Sequence, residues 1–192
     1  AGTVFSLNPF GLNYRVLSDL APESAANPVA ALIEGANGWL YGTSMYGGSS
    51  NRGSIFTVQT DGLGFNLLHS FSGNASRSYA SLAQSTNGLL YGLTLQYGTL
   101  FDLSADGSNY TTLRTFTSEA MNPMSALVQA SDGNFYGTAY FSYVPGMATT
   151  NGCIFRLDGN GSNYIVLKFF SDPLATGANP LSPLLEASDG ML

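Results

Sequence analysis

The sequence predicts an all-β chain built from repeated four-stranded units, and three observations carry that reading. One phrase recurs four times, as Gly2-Thr3-Val4-Phe5, Gly53-Ser54-Ile55-Phe56, Gly98-Thr99-Leu100-Phe101 and Gly152-Cys153-Ile154-Phe155. Its phenylalanines fall 51, 45 and 54 residues apart (5 to 56, 56 to 101, 101 to 155). Repeats of this period build stacked arrays in which each unit buries its faces against its neighbours. Asn-Gly or Asp-Gly stands at 37–38, 87–88, 132–133 and 189–190, a pair that tolerates the positive φ angles of a type I′ hairpin turn. Apolar side chains also alternate onto both faces of one strand, with Phe5 and Leu7 against Val4 and Phe56 and Val58 against Ile55. Both faces of each unit are therefore covered.

The first strand is read at Ala31-Leu32-Ile33, Ser81-Leu82-Ala83, Ala126-Leu127-Val128 and Pro183-Leu184-Leu185. It follows Asn27-Pro28, Asn122-Pro123 and Asn179-Pro180 in three copies, and proline suits a strand entrance because its missing N–H is not needed there. Beyond the hairpin lies the second strand, Leu40-Tyr41-Gly42-Thr43, Leu90-Tyr91-Gly92 and Phe135-Tyr136-Gly137-Thr138, whose glycine admits a neighbouring ring. The Gly-x-apolar-Phe phrase forms the third strand. A second tight turn at Gly11, Gly62, Gly107 and Gly161 leads to the fourth, Tyr14 to Leu17, Phe65 to Phe71, Tyr110 to Phe116 and Tyr164 to Phe170.

Four antiparallel strands per unit, apolar on both sides, predict a β-propeller of about four four-stranded blades. It forms one domain over residues 1–192, with repeat units near 1–52, 53–97, 98–151 and 152–192. An open β-solenoid fits two hairpin turns per unit less well. Three blades are complete, at 27–71, 78–116 and 122–170, and the fourth is split between residues 1–20 and 180–192. The alternative is part of a larger propeller. Phe5, Phe56, Phe101 and Phe155 are expected to be buried between blades. A split blade completed by the next molecule would make a homo-oligomer or filament by strand exchange, because such a contact is heterologous.

The run from Gly2-Thr3-Val4-Phe5 through Pro28-Val29-Ala30-Ala31-Leu32-Ile33 to Asn37-Gly38-Trp39-Leu40-Tyr41-Gly42-Thr43, with its Gly-Gly loop, resembles the bacterial GloVer (Gloeo-Verruco) tandem repeat. The resemblance extends over essentially the whole chain. It implies an exported or surface-anchored repeat protein and transfers no catalytic motif. The second copy departs from the pattern with Arg77-Ser78 in place of Asn-Pro and with Leu93 where the other copies have Thr.

Composition narrows the function classes. With 44% hydrophobic and 12% aromatic residues the chain is not disordered, and only 9% of residues are charged, against about a quarter in soluble proteins generally. A surface kept wet by Asn, Ser, Thr and Gly leans towards an extracellular or cell-surface protein whose leader has been removed. Six basic and twelve acidic residues give a net charge of -6. The basic residues stand singly, without the stripe that nucleic acid requires. No run of about 18 apolar residues predicts a membrane span. Cys153 is the only cysteine and reads as a small strand residue.

Binding is expected on the loops that vary between copies, because a rigid scaffold leaves loops free to carry contacts. Those loops hold Tyr46, Arg52, Tyr97, Tyr140, Phe141 and Tyr143, and aromatic side chains beside Asn and Ser suit partner surface proteins or glycans. Glu34, Gln84, Gln129 and Glu186 occupy one repeat position near the end of the innermost strand. They are expected to line a channel and cap strand ends, the lesser reading being a channel cation held by oxygen ligands. No other metal and no cofactor is expected. His69 is read as an exposed outer-strand residue, Trp39 as packing, and the Asp158-Gly159-Asn160-Gly161-Ser162 run as a hairpin turn rather than a calcium loop. A lone histidine without a nucleophile elbow supports no Ser-His-Asp triad. The expected function is a non-catalytic surface structural or protein-interaction module, with a lectin-like propeller as the alternative and a polysaccharide-active enzyme third.

Overall fold

The computed structural model describes residues 2–95, 98–118, 120–143, 151–171 and 177–192. Among them every regular element is a strand. Sheet 1 pairs β1 (Gly2–Ser6) with β2 (Arg15–Leu20). Sheet 2 runs in the order β3 (Ile33–Glu34), β4 (Trp39–Ser44), β5 (Ser54–Gln59), β6 (Asn66–Ser70). Sheet 3 is β7 (Ala83–Gln84), β8 (Leu90–Leu93), β9 (Thr99–Leu103), β10 (Thr111–Thr115), and sheet 4 is β11 (Val128–Gln129), β12 (Phe135–Ala139), β13 (Cys153–Leu157), β14 (Ile165–Phe169). All pairings are antiparallel between sequence neighbours. The all-β meanders predicted from the repeat are therefore present, and they pack in a propeller-like succession.

Three apolar layers join consecutive sheets. Val4, Leu17 and Leu20 of sheet 1 meet Phe56 and Val58 of sheet 2. Tyr41 and Ile55 of sheet 2 meet Phe101 and Leu103 of sheet 3, and Tyr91, Leu93 and Leu100 meet Phe135, Phe155 and Leu157 of sheet 4. The apolar residue of each Gly-x-apolar-Phe phrase thus faces forward and its phenylalanine faces back. The glycine of the second strand makes room for that ring, since a Cβ at Gly42 would lie 2.6 Å from Cζ of Phe56 and one at Gly137 2.6 Å from Cζ of Phe155.

Four expectations are corrected. The four Asn-Gly and Asp-Gly turns are not type I′, because only their glycines have positive φ. Each closes a four-residue turn, as when Gly38 N–H donates to Gly35 O at 2.8 Å, and the Asn37 side-chain oxygen accepts from Trp39 N–H. This is a type I turn followed by a left-handed glycine. The first strands are only two residues long, and Pro183-Leu184-Leu185 is not in a strand. Sheet 1 has two strands, and among the described residues nothing pairs β1 with residues 180–192, so the split blade is not assembled. Phe56, Phe101 and Phe155 are fully buried but Phe5 is 53% exposed, because its ring faces back, on the side where none of the described sheets lies.

Candidate binding rim

The first-hairpin turns lie along one rim and lock to each other. Gln84 accepts from Ala36 N–H at 2.7 Å and donates to Gly88 O at 3.1 Å, joining the turn of sheet 2 to that of sheet 3. Gln129 repeats the arrangement one junction on, accepting from Thr86 N–H at 3.0 Å and donating to Gly133 O at 3.2 Å. Glu186 accepts from Ser131 N–H at 2.8 Å and from its hydroxyl at 2.7 Å. Glu34 is exposed. Three of the four predicted channel residues therefore spend side-chain oxygens on neighbouring turns. No group of three or more His, Cys, Asp or Glu that could hold a metal ion occurs among the described residues.

Two further bonds cross these junctions. Tyr41 donates to Ala105 O at 3.2 Å and Tyr91 to Gly159 O at 3.0 Å, each reaching the second turn of the following sheet. Tyr136 instead donates to the Asp132 carboxylate at 2.8 Å. Bonds from the Asn134 side chain and N–H, and then from Tyr136, hold Asp132 below its ordinary pKa, which suits an acceptor and not a proton donor.

The opposite rim carries the variable loops, and it brings the predicted residues together as two groups. In the first, Tyr46 is tied by its backbone to Ala26, and the Arg77 guanidinium lies 5.1 Å from its ring centroid. Arg77 N–H donates to Arg52 O at 2.7 Å, and the Arg52 guanidinium to Gly73 O at 3.2 Å. A polar cleft of about 280 Å³ opens here, lined by Ser50, Asn51, Arg52, Ser76 and Arg77. In the second group Phe141 pairs with Met121, and Tyr140 meets it edge-on with centroids 4.5 Å apart. Tyr143 N–H donates to Ser118 O at 2.7 Å. Phe141 and Tyr143 are each 42% exposed. Phe116, Thr117, Ser118 and Met121 help line a cleft of about 450 Å³ at this junction. Tyr97 lies outside the described residues.

Arg77 is the residue that sequence reasoning passed over, treating it as a departure without function. Its signal was present, because it replaces Asn at a left-handed position, φ 54°, where arginine is uncommon. Elsewhere the reactive side chains are packed. His69 is not an exposed residue but half-buried, with its ring stacked on Tyr110 at 3.7 Å and 6°. Burial lowers its pKa. Cys153 is fully buried on β13, Trp39 packs against the layer between sheets 2 and 3, and Asp158 to Ser162 form a hairpin turn.

Comparison with known families gives a match to the Gloeobacter/Verrucomicrobia repeat over residues 1–97. No curated protein matches the chain. Among solved structures, a chain of the "Crystal structure of Nidogen/Laminin Complex" is similar with a TM-score of 0.58 at 14% identity, over 81% of this chain and 52% of that one. At that identity the likeness is one of fold. This chain spans about half the length of the solved one.

Proposed function

Because the chain belongs to the Gloeobacter/Verrucomicrobia repeat family, we propose that it is a non-catalytic repeat module, working outside the cell or at its surface, that presents its variable rim to partner proteins. The contrast between the two rims carries this reading. On one rim the recurrent Gln, Glu, Asn and Asp side chains are spent on bonds between and within turns. On the other, Arg52, Phe141 and Tyr143 are exposed beside two clefts. Aromatic and arginine side chains are those enriched at interfaces. The low content of charge supports an extracellular setting.

The cleft of Arg52 and Arg77 favours a second reading, a glycan bearing hydroxyl or carboxylate groups. Two guanidiniums beside Ser50, Asn51 and Ser76 offer fixed donors of the kind that pair with carboxylates. The lining has no acid or histidine to move a proton. A glycan array, read with and without calcium and assayed for cleavage products, separates these readings. The expected result is no product from any glycan. Turnover would defeat the non-catalytic reading, and retention without product, lost in an Arg52→Ser/Arg77→Asn variant, would select the glycan reading. Asparagine is chosen because it already occupies the equivalent left-handed positions at Asn27, Asn122 and Asn179.

A further inference from the structure

Two of the chain's six basic residues meet in one cleft of a molecule whose net charge is -6. Its lining, Ser50, Asn51, Arg52, Ser76 and Arg77, contains no carboxylate to neutralise them. The backbone frame that holds the two arginines occurs a second time without them. Arg77 N–H donates to Arg52 O, and in the same way Asn179 N–H donates to Asn151 O, with φ of 54° at Arg77 and 51° at Asn179. Asparagine therefore closes the same turn, and it tolerates the left-handed region better than arginine does. The turn needs no charge, so the two guanidiniums are not there to form it.

The hydrogen-bonding groups of the cleft are one-sided. A guanidinium donates and never accepts. Asn51 Oδ1 already accepts from Gly47 N–H at 2.9 Å, so the Asn51 amide offers the cleft its N–H donors. The carbonyls around the arginines are engaged as well. Arg52 O accepts from Arg77 N–H at 2.7 Å, Gly73 O from the Arg52 guanidinium at 3.2 Å, and Ser76 O and Arg77 O share Leu95 N–H at 3.1 and 2.7 Å. A neutral hydroxyl has a proton to donate and finds few acceptors here, whereas an anionic oxygen only accepts. Both guanidiniums are also held in place before any ligand arrives, Arg52 by Gly73 O and Arg77 by the Tyr46 ring at 5.1 Å. Such preorganisation lowers the cost of binding.

We infer that this cleft binds the anionic group of an acidic sugar residue and discriminates against neutral glycans. The inference rests on the glycan reading above and narrows it to one chemistry. The anion takes the N–H forks of Arg52 and Arg77, and sugar hydroxyls beside it bond Asn51 and Ser50. An acidic sugar is favoured over an acidic peptide because every lining residue is polar and the nearby Tyr46 ring is covered by Arg77. The cleft therefore lacks the apolar anchor pocket at the centre of protein interfaces. With a net charge of -6 the molecule as a whole repels an anion, so binding depends on the cleft itself.

Calorimetric titration with trigalacturonate, a sulfated galactotriose, neutral galactotriose and pentaglutamate, each up to about 1 mM in the presence of EDTA, tests this. At least one acidic trisaccharide is expected to bind, and the one preferred identifies the group as carboxylate or sulfate. Neutral galactotriose should bind at least about tenfold more weakly. Arg52→Asn/Arg77→Asn copies the pair at Asn151 and Asn179, so it should keep the wild-type circular dichroism and lose about tenfold or more in affinity for the acidic sugar. Arg77→Asn alone should lose affinity in the same direction, and it serves if the double variant does not fold. Equal affinity for the neutral trisaccharide would overturn the inference and leave the glycan reading standing, whereas binding of none of the three sugars would overturn the inference and count against that reading too. Acidic-sugar affinity unchanged in a folded variant, or pentaglutamate bound as tightly as the acidic sugar, would also overturn it.

Discussion

Asn27, Arg77, Asn122 and Asn179 have φ of 52, 54, 55 and 51°, and Asn13, Asn109 and Asn163 have 56, 56 and 50°. Asparagine recurs at these points because its short polar side chain tolerates the left-handed region better than most residues. The same scale explains His69, whose ring lies against Tyr110 and Phe71. Burial disfavours its charged form and lowers its pKa from an ordinary 6.5. Below that value the unfolded chain binds the proton more readily than the folded one, so the contribution of neutral His69 is complete above about pH 6.5 and is lost as pH falls towards the lowered value. Denaturation midpoints should therefore drop as pH falls below about 6.5, and His69→Phe should flatten that part of the profile. An unchanged slope in the variant would assign the drop to other groups.

At the scale of the strand pair, the register slip between the third and fourth strands recurs in every sheet, at Val4/Phe5, Ile55/Phe56, Thr112/Arg114 and Ile154/Phe155. A bulge re-aims a side chain, and here it turns a leucine onto the next sheet. The third strand supplies the complementary ring from the other side. Phe101 is fully buried between sheets 2 and 3, whereas Phe5 has the same sequence context and is half exposed. Phe101→Ala should then cost about 3–5 kcal/mol, and Phe5→Ala, in dilute monomeric chain, less than about 1 kcal/mol. Urea titrations of the two variants decide this, and equal losses would mean that both rings are covered in solution.

Across the whole molecule, stability is shared among nearest-neighbour junctions, as in other repeat arrays. Sheets 2 and 3 are covered on both faces, whereas sheet 1 has two strands and one bare face. Its amides should exchange with solvent at least about tenfold faster than those of β8 and β9 in dilute solution. Uniform protection across sheets 1 to 3 would show that the array opens as one unit. The departures of the second copy also resolve at this scale. Thr43 donates to Ala80 O of the next sheet at 3.1 Å, while Leu93 at the corresponding position joins the apolar layer. Arg77-Ser78 keeps the left-handed turn, and the Ser78 hydroxyl donates to Leu93 O at 2.8 Å.

The repeat phrase alone was sufficient for the second, third and fourth strands of the three complete sheets, for the places of their turns and for the burial of Phe56, Phe101 and Phe155, because these follow from period-two alternation and from turn chemistry within about 50 residues. It could not distinguish Phe5 from those three, since burial depends on whether another sheet lies behind, and that is a property of the assembled array. The turn type was likewise misjudged, because Asn-Gly allows two left-handed residues and the ladder used only one. Gln84, Gln129 and Glu186 were legible as one repeated position, but their partners lie 48, 43 and 55 residues away. Only the stacking of sheets decides such contacts. The same holds for Tyr46, Arg52 and Arg77, which separate loops bring to one cleft because consecutive sheets place those loops on the same rim.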